Sequence, residues 1–303
     1  MSAGGDSSRV IFIALMANLG IAIAKFIGAF LSGSAALLAE AIHSFVDCSN
    51  QVLLLIGNKL SKQPPSEQYP LGRGREAFFW SFIVAVLLFS LGGLFAIYEG
   101  IHKLDHEDSV SSPILGIAIL LVAIVLEGYS FLACIKEVRT QNSFGTLWKW
   151  LRKTTSSELL VVFTEDAAAL LGLLVAISAL IASWATGNSI WDAMGSIAVG
   201  VILVAAAIFL AIEIKSLIIG EVPATDFSSY VRERVSVHIP DGQVFKLIAL
   251  QTGIDEVLMS CKISAGSITQ VDLLLEAINK VEKEIKEEFP EVKWLFMEPD
   301  LRD

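Results

Sequence analysis

The run SAALLAEAIHSFVDCSNQVLLLIGN, residues 34–58, decides how the chain is read. As a helix rising about 1.5 Å per residue it is long enough to cross a hydrocarbon core of about 30 Å. Yet its stretch up to the middle carries Glu40, His43 and Asp47. An ionisable side chain at the bilayer centre costs about 2.5–3.5 kcal/mol, so these groups must face an interior, not lipid. His43 and Asp47 stand i, i+4 apart, one turn along one helix face, where an imidazole and a carboxylate can share a cation. The bland alternative for a histidine in a span is a hydrogen bond to a neighbouring helix.

Working outward, five further apolar segments flank this one, so that six spans are expected over residues 10–31, 34–58, 77–101, 112–135, 158–183 and 190–218. The composition agrees, since 54% of the 303 residues are hydrophobic and only 18% charged, a balance that excludes a wholly water-soluble globular chain. Residues 1–8 are small and polar and the first apolar segment lacks a small-residue exit, so that segment is read as a span and not as a cleaved leader. Cys48, Cys134 and Cys261 lie far apart and offer neither a disulfide framework nor a CxxC metal motif.

Basic residues near the span ends gather on one side: Arg9, then Lys59, Lys62, Arg73 and Arg75, then Lys136, Arg139, Lys149, Arg152 and Lys153. Only Lys103 flanks the other side, beside the acidic loop of Asp105, Glu107 and Asp108. The positive-inside rule makes both termini cytoplasmic, in a multi-pass integral membrane protein that would sit in the cell inner membrane if the source is bacterial. In the inner loop Phe144, Leu147, Trp148, Trp150 and Leu151 alternate with Lys149, Arg152 and Lys153, the pattern of a stretch anchored at headgroup level.

From Glu221 the chain changes in kind, with acids outnumbering bases and apolar residues returning to amphipathic spacing. The expected division is a six-span transmembrane domain, 1–220, and a small cytoplasmic domain, 221–303. The latter is predicted as helix 226–237, strands 243–251 and 255–264, helix 270–288 and strand 292–298, an α+β, ferredoxin-like order of α-β-β-α-β. Its single histidine, His238, would need Asp300 or a second chain to form a metal site.

The spans hold eight ionisable residues, Lys25, Glu40, His43, Asp47, Glu127, Glu165, Asp166 and Asp192, which would cost roughly 20 kcal/mol if all met lipid. Most must therefore face the bundle interior or water. Asp47 lies near the middle of its span, and Asp166, Glu127 and Asn18 fall within roughly 6 Å of the middle of theirs at helical rise. Polar groups from four helices at one depth favour a cation site. Lys25 is expected to pair with a carboxylate, and Asp192 to sit at the N-terminus of the sixth span, where the helix dipole favours an acid. Glu40, one turn before His43, has three readings: orienting the imidazole, serving an outer access path, or lying at the interface.

The run SGSAALLAEAIHSFVDCSNQ (32–51), the loop YPLGRGREAFFW (69–80), Trp191-Asp192 and LIIGE (217–221) ahead of a small C-terminal domain resemble the cation diffusion facilitator family over nearly the whole chain. The resemblance implies a homodimer joined through the tail, embedded in a lipid bilayer, exchanging a divalent cation for protons. It also implies a tetrahedral metal site shared by the second and fifth spans, with His in the second-span motif associated with zinc. Setting Asp166 on the family's aspartate puts Val162 where a histidine usually stands, and VVFTEDAAALLG (161–172) with KWLFMEPD (293–300) is similar to a divergent branch of the family. The expected ligands are His43, Asp47 and Asp166, with one position open among Glu165, Glu127, Asn50, Asn18 and water. A donor set richer in oxygen is harder, so Mn2+, Fe2+ and Co2+ join Zn2+ as candidate transported ions, with Cd2+ kept beside them as an alternative to test.

Ligands must lose protons to bind metal, so loading should release protons and reprotonation eject the ion, the chemistry of an antiporter. Gly72 and Gly74 give turns beside Arg73 and Arg75, but without G-x-x-x-x-G-K-[ST] this is no nucleotide loop, and no nucleic-acid partner is expected. Two rivals are kept: an intramembrane enzyme, weakened by the lack of H-E-x-x-H and G-x-S-x-G, and a non-transporting metal sensor or scaffold, to which Val162 lends weight. The reading is of a transporter, not an enzyme.

Overall fold

The computed structural model describes residues 3–105, 112–141, 146–223 and 225–301, with side chains from Asn18 onward apart from those of 105 and 141. Arg9, Asp105, Glu107, Asp108 and Phe144, used above for orientation and anchoring, lie outside the described residues or side chains. The chain divides into two compact units, 1–57 with 79–152 and 157–214, and 58–78 with 153–156 and 215–303.

The first unit is helical. Its elements are α1 (Ala3–Ser32), α2 (Ala35–Ser61), α3 (Glu76–Leu87) running through a π-helical stretch (Leu88–Leu94) into α4 (Phe95–Asp105), α5 (Pro113–Gln141), the short α6 (Leu147–Lys153), α7 (Ser157–Thr186) and α8 (Ile190–Ile219). Four stretches, Glu76–Leu104, Pro113–Thr140, Ser157–Thr186 and Ile190–Ile219, are long and apolar enough to cross a membrane by length and composition, which makes this a multi-pass membrane protein. The described part of α1, Asn18–Ser32, is a shorter apolar helix. α2 has the length of a span at 27 residues, and its buried polar residues Glu40, His43 and Asn50 lower its hydropathy.

Sequence sets the breaks. Gly33 turns the chain out of α1 with φ +66°, a conformation that costs glycine little. Ser34 then caps α2, its Oγ accepting from the Leu37 amide at 3.1 Å. Where helices cross, small residues let backbones approach: a Cβ on Gly93 would stand 2.6 Å from Val204 Cγ2, and one on Gly200 2.7 Å from the Gly93 carbonyl. The π-helical stretch carrying Gly92 and Gly93 was not foreseen from sequence.

The two tryptophans of α6 part company. Trp148 is exposed, as an anchor at headgroup level would be, but Trp150 is buried with Cys134, Val138 and Phe163, its ring 6.0 Å edge-on to that of Phe163. Of the two described aromatics of the expected anchor, one is therefore core.

The second unit carries α9 (Ser228–His238), β1 (Val244–Gly253), β2 (Glu256–Ile263), α10 (Val271–Glu288) and β3 (Val292–Pro299), the expected order with ends shifted by up to two residues. β1 and β2 form an antiparallel hairpin and β3 pairs parallel to β2, giving the order β1-β2-β3. Alternate residues Val257, Met259, Cys261 and Ile263 face Val281 and Ile285 of α10 and Val231 and Val235 of α9. Phe289 locks the helices in place with edge-on rings of Phe227 and Tyr230 at 5.0 and 5.2 Å. Loop 62–75 belongs to this unit: Gly74 lies so close to the hairpin turn that a Cβ there would meet the Thr252 carbonyl at 2.7 Å. Arg73 pairs with Glu76, bonds Gln63 at 3.1 Å and stacks on Tyr69.

Candidate cation site

The polar residues of α2 point into the helical unit. His43 is fully buried, with Nε2 3.6 Å from Asp47 Oδ2. Neither ring nitrogen makes a hydrogen bond, and Asp47 Oδ1 is also buried without a partner. Such atoms are costly in an apolar interior and are rare unless something else satisfies them. One turn on, the Asn50 side-chain amide donates to Glu165 Oε1 on α7 at 2.5 Å, leaving Asn50 Oδ1 unpaired.

α1, α2, α5 and α7 enclose a cavity of about 50 Å³ lined by Asn18 and Ile21, by Ser44, Asp47 and Gln51, by Glu127 and Ser130, and by Val162, Glu165 and Asp166. A water needs roughly 10–15 Å³ of such space, so the cavity has room for about three waters or one partly hydrated ion. Ser130 Oγ donates to Asp166 Oδ2 at 3.2 Å, joining α5 to α7 across one wall.

Of the seven expected site residues, Asp47, Asp166, Glu165, Glu127 and Asn18 line this cavity. His43 and Asn50 do not; they adjoin it through their contacts to Asp47 and Glu165. Glu165 and Asp166, neighbours turned about 100° apart on a helix, both reach the cavity. Among the described residues no three His, Cys, Asp or Glu side chains are gathered closely enough to hold a metal ion. The donors thus share a cavity without forming a closed coordination shell. Val162 is a lining residue, so the position without a histidine does face the site. Ser44, Gln51 and Ser130 were missed; Ser44 precedes Asp47 by three residues and Ser130 follows Glu127 by three, a spacing that could have flagged them.

Lys25 of α1 finds the carboxylate expected of it. Its Nζ lies 3.4 Å from Glu40 Oε2 and donates to Ser44 Oγ at 2.6 Å, all three residues being buried. Glu40 is thereby no interfacial residue, and it makes no hydrogen bond to His43. Asp192 is also buried and does cap a helix, but not its own. It accepts from Ser34 Oγ at 2.5 Å and from the Ala35 amide at 2.6 Å, at the start of α2, and pairs with Lys103 at 2.9 Å. In the tail, His238 pairs with Glu284 at 2.8 Å while Asp300 pairs with Lys262, so the two expected metal partners are engaged apart.

The family model for the cation efflux transmembrane domain matches residues 11–219. The chain belongs to the cation diffusion facilitator family. This family member is 32% identical over 204 residues to a protein of Mus musculus named proton-coupled zinc antiporter SLC30A9, mitochondrial, covering 67% of this chain and 36% of that one. It is 33% identical over 216 residues to metal tolerance protein C4 of Arabidopsis thaliana, covering 71% and 47%. The Xenopus laevis protein named proton-coupled zinc antiporter SLC30A9, mitochondrial, is 28% identical over 329 aligned positions covering 96% of this chain and 59% of its own. The chain thus spans between about a third and three fifths of these relatives' lengths.

Proposed function

We propose that this cation efflux family member transports a divalent transition metal, zinc by preference, out of the cytoplasm in exchange for protons. The observation that carries the reading is the small cavity enclosed by four helices of an apolar bundle, with carboxylates from three of them and the unpartnered His43 imidazole beside Asp47. An imidazole with no hydrogen-bond partner and carboxylates that face one cavity are donors ready for a cation. In this reading His43, Asp47 and Asp166 bind the ion, Glu165, Glu127, Asn18 and Asn50 supply further oxygens or hold them, and small helix shifts close the shell. Loading an ion displaces protons from the same groups, which couples the two fluxes. Alternating access then needs the bundle to open in turn to each side.

The names of the mouse and frog relatives support zinc and proton coupling. With one nitrogen among oxygens, Mn2+, Fe2+, Co2+ and Cd2+ remain in the panel to be tested. The reading includes six spans in a membrane domain to residue 220, a cytoplasmic domain from 221 and both termini in the cytoplasm. It also includes a homodimer through the tail. Supporting the dimer, Ile248 and Phe296 flank Ser260 in register on the sheet face away from the helices and are both about half exposed.

In proteoliposomes with an imposed pH gradient, the wild type should accumulate zinc and the His43→Ala and Asp166→Asn variants should not, while all three elute as folded protein. Uptake by the variants equal to wild type would sink the assignment. A correctly folded wild type that moves none of the five metals would favour the sensor or scaffold.

A further inference from the structure

The acidic residue nearest the proposed ligands on α2 is tied up by the buried lysine. Glu40 precedes His43 by three residues, so the two side chains share a helix face one turn apart. A carboxylate so placed is a natural fourth ligand or an acceptor for the imidazole. It does neither: its Oε2 is engaged by Lys25 Nζ at 3.4 Å, and Lys25 is anchored in turn by Ser44 Oγ at 2.6 Å. Ser44 lines the cavity and Lys25 and Glu40 do not, so the lysine stands one layer behind the wall. On the far side, Glu40 is hemmed by α7, since a Cβ on Gly172 would stand 2.5 Å from Glu40 Oε1. That oxygen has no hydrogen-bond partner and His43 keeps both ring nitrogens open.

We propose that Lys25 is a specificity-determining residue that withholds Glu40 from the cation site. This rests on the transport reading above and deepens it. With Glu40 held, the oxygen-rich set around His43 and Asp47 has one carboxylate fewer to set against its single nitrogen, which keeps it nearer to zinc. With Glu40 released, a further carboxylate oxygen sits one turn from His43, and the set becomes harder and better suited to manganese. The lysine touches no transported ion and acts through the carboxylate it engages.

The test is paired zinc and manganese uptake into proteoliposomes by wild type, Lys25→Met, Glu40→Gln and the double variant, with Asp47→Asn as the transport-dead reference. In Lys25→Met the zinc-to-manganese uptake ratio should fall about tenfold, the size expected when a residue behind a ligand set is lost. Lys25→Met/Glu40→Gln should regain the wild-type ratio, because the liberated carboxylate is gone, and Glu40→Gln alone should leave the ratio unchanged. A merely structural role for Lys25 lowers both uptakes in parallel and leaves the ratio alone, which overturns the proposal. So does a double variant whose ratio stays shifted; this is the variant that replaces the whole buried ion pair and is the best tolerated in folding. Zinc uptake by wild type that Asp47→Asn abolishes upholds the transport reading whichever way the Lys25 arms fall.

Discussion

Two buried polar clusters in the helical unit differ in one respect. Around Asp192 both carboxylate oxygens are satisfied, by Ser34, the Ala35 amide and Lys103, and Lys103 also donates to the Gly33 carbonyl. His43 is just as buried and Asp47 is partly exposed with its Oδ1 buried, yet both imidazole nitrogens and that Oδ1 have no hydrogen-bond partner. A fully satisfied buried network fixes structure, joining the start of α2 to α4 and α8. One left incomplete carries a free-energy cost that folding does not explain and that a bound cation would relieve. Polar residues in a membrane span therefore divide by satisfaction, not by burial.

Four changes break or sharpen that contrast. Asp47→Asn should cut zinc uptake on the order of 100-fold, at the upper end for residues that hold or support a metal, with thermal unfolding in detergent little altered. Asp192→Ala should do the reverse in kind: unfolding should show a loss of about 3–5 kcal/mol, since Lys103 is left buried without its counter-charge, and uptake per folded molecule should fall less than for Asp47→Asn. Gly200→Val, which would drive a side chain into Ile97 and the Gly93 carbonyl, should cost about 1–3 kcal/mol by the same measurement. The smallest effect lies in the tail, where the hydrogen bond to His238 holds the Glu284 carboxyl below its ordinary value of 4.5. A depressed carboxylate pKa contributes stability above that ordinary value, and the contribution is lost as pH falls through the lowered one. Glu284→Gln should thus be slightly less stable than wild type at pH 7, with the difference closing in acid.

The sequence carried the scaffold because its signals are local. Apolar run length marks four spans outright, and 3.6-residue and two-residue periods mark the helices and strands of the tail. His43 and Asp47 were legible for the same reason, lying one turn apart on one helix. What it did not show depends on which helices meet. Asp192 sits where a first-turn acid caps its own helix, yet the short turn at Gly33-Ser34 brings the start of α2 to it. Trp148 and Trp150 share one amphipathic stretch, and only packing against Phe163 turns the second inward. Helical phase separates Glu165 from Asp166 by a quarter-turn, but the cavity is wide enough for both. The link from Lys25 to Ser44 and Glu40 joins two helices, so sequence could name the need for a partner without choosing it.

If the groups around Asp47 exchange protons for a metal ion, binding and proton release must go together. The direct test is calorimetric titration of zinc into detergent-solubilised protein, repeated in buffers of different ionisation enthalpy. Wild type should bind zinc with protons released to the buffer, and Asp47→Asn/Asp166→Asn should lose the binding and the release together. Zinc binding without proton release, or binding and release unchanged in that variant, would contradict this exchange.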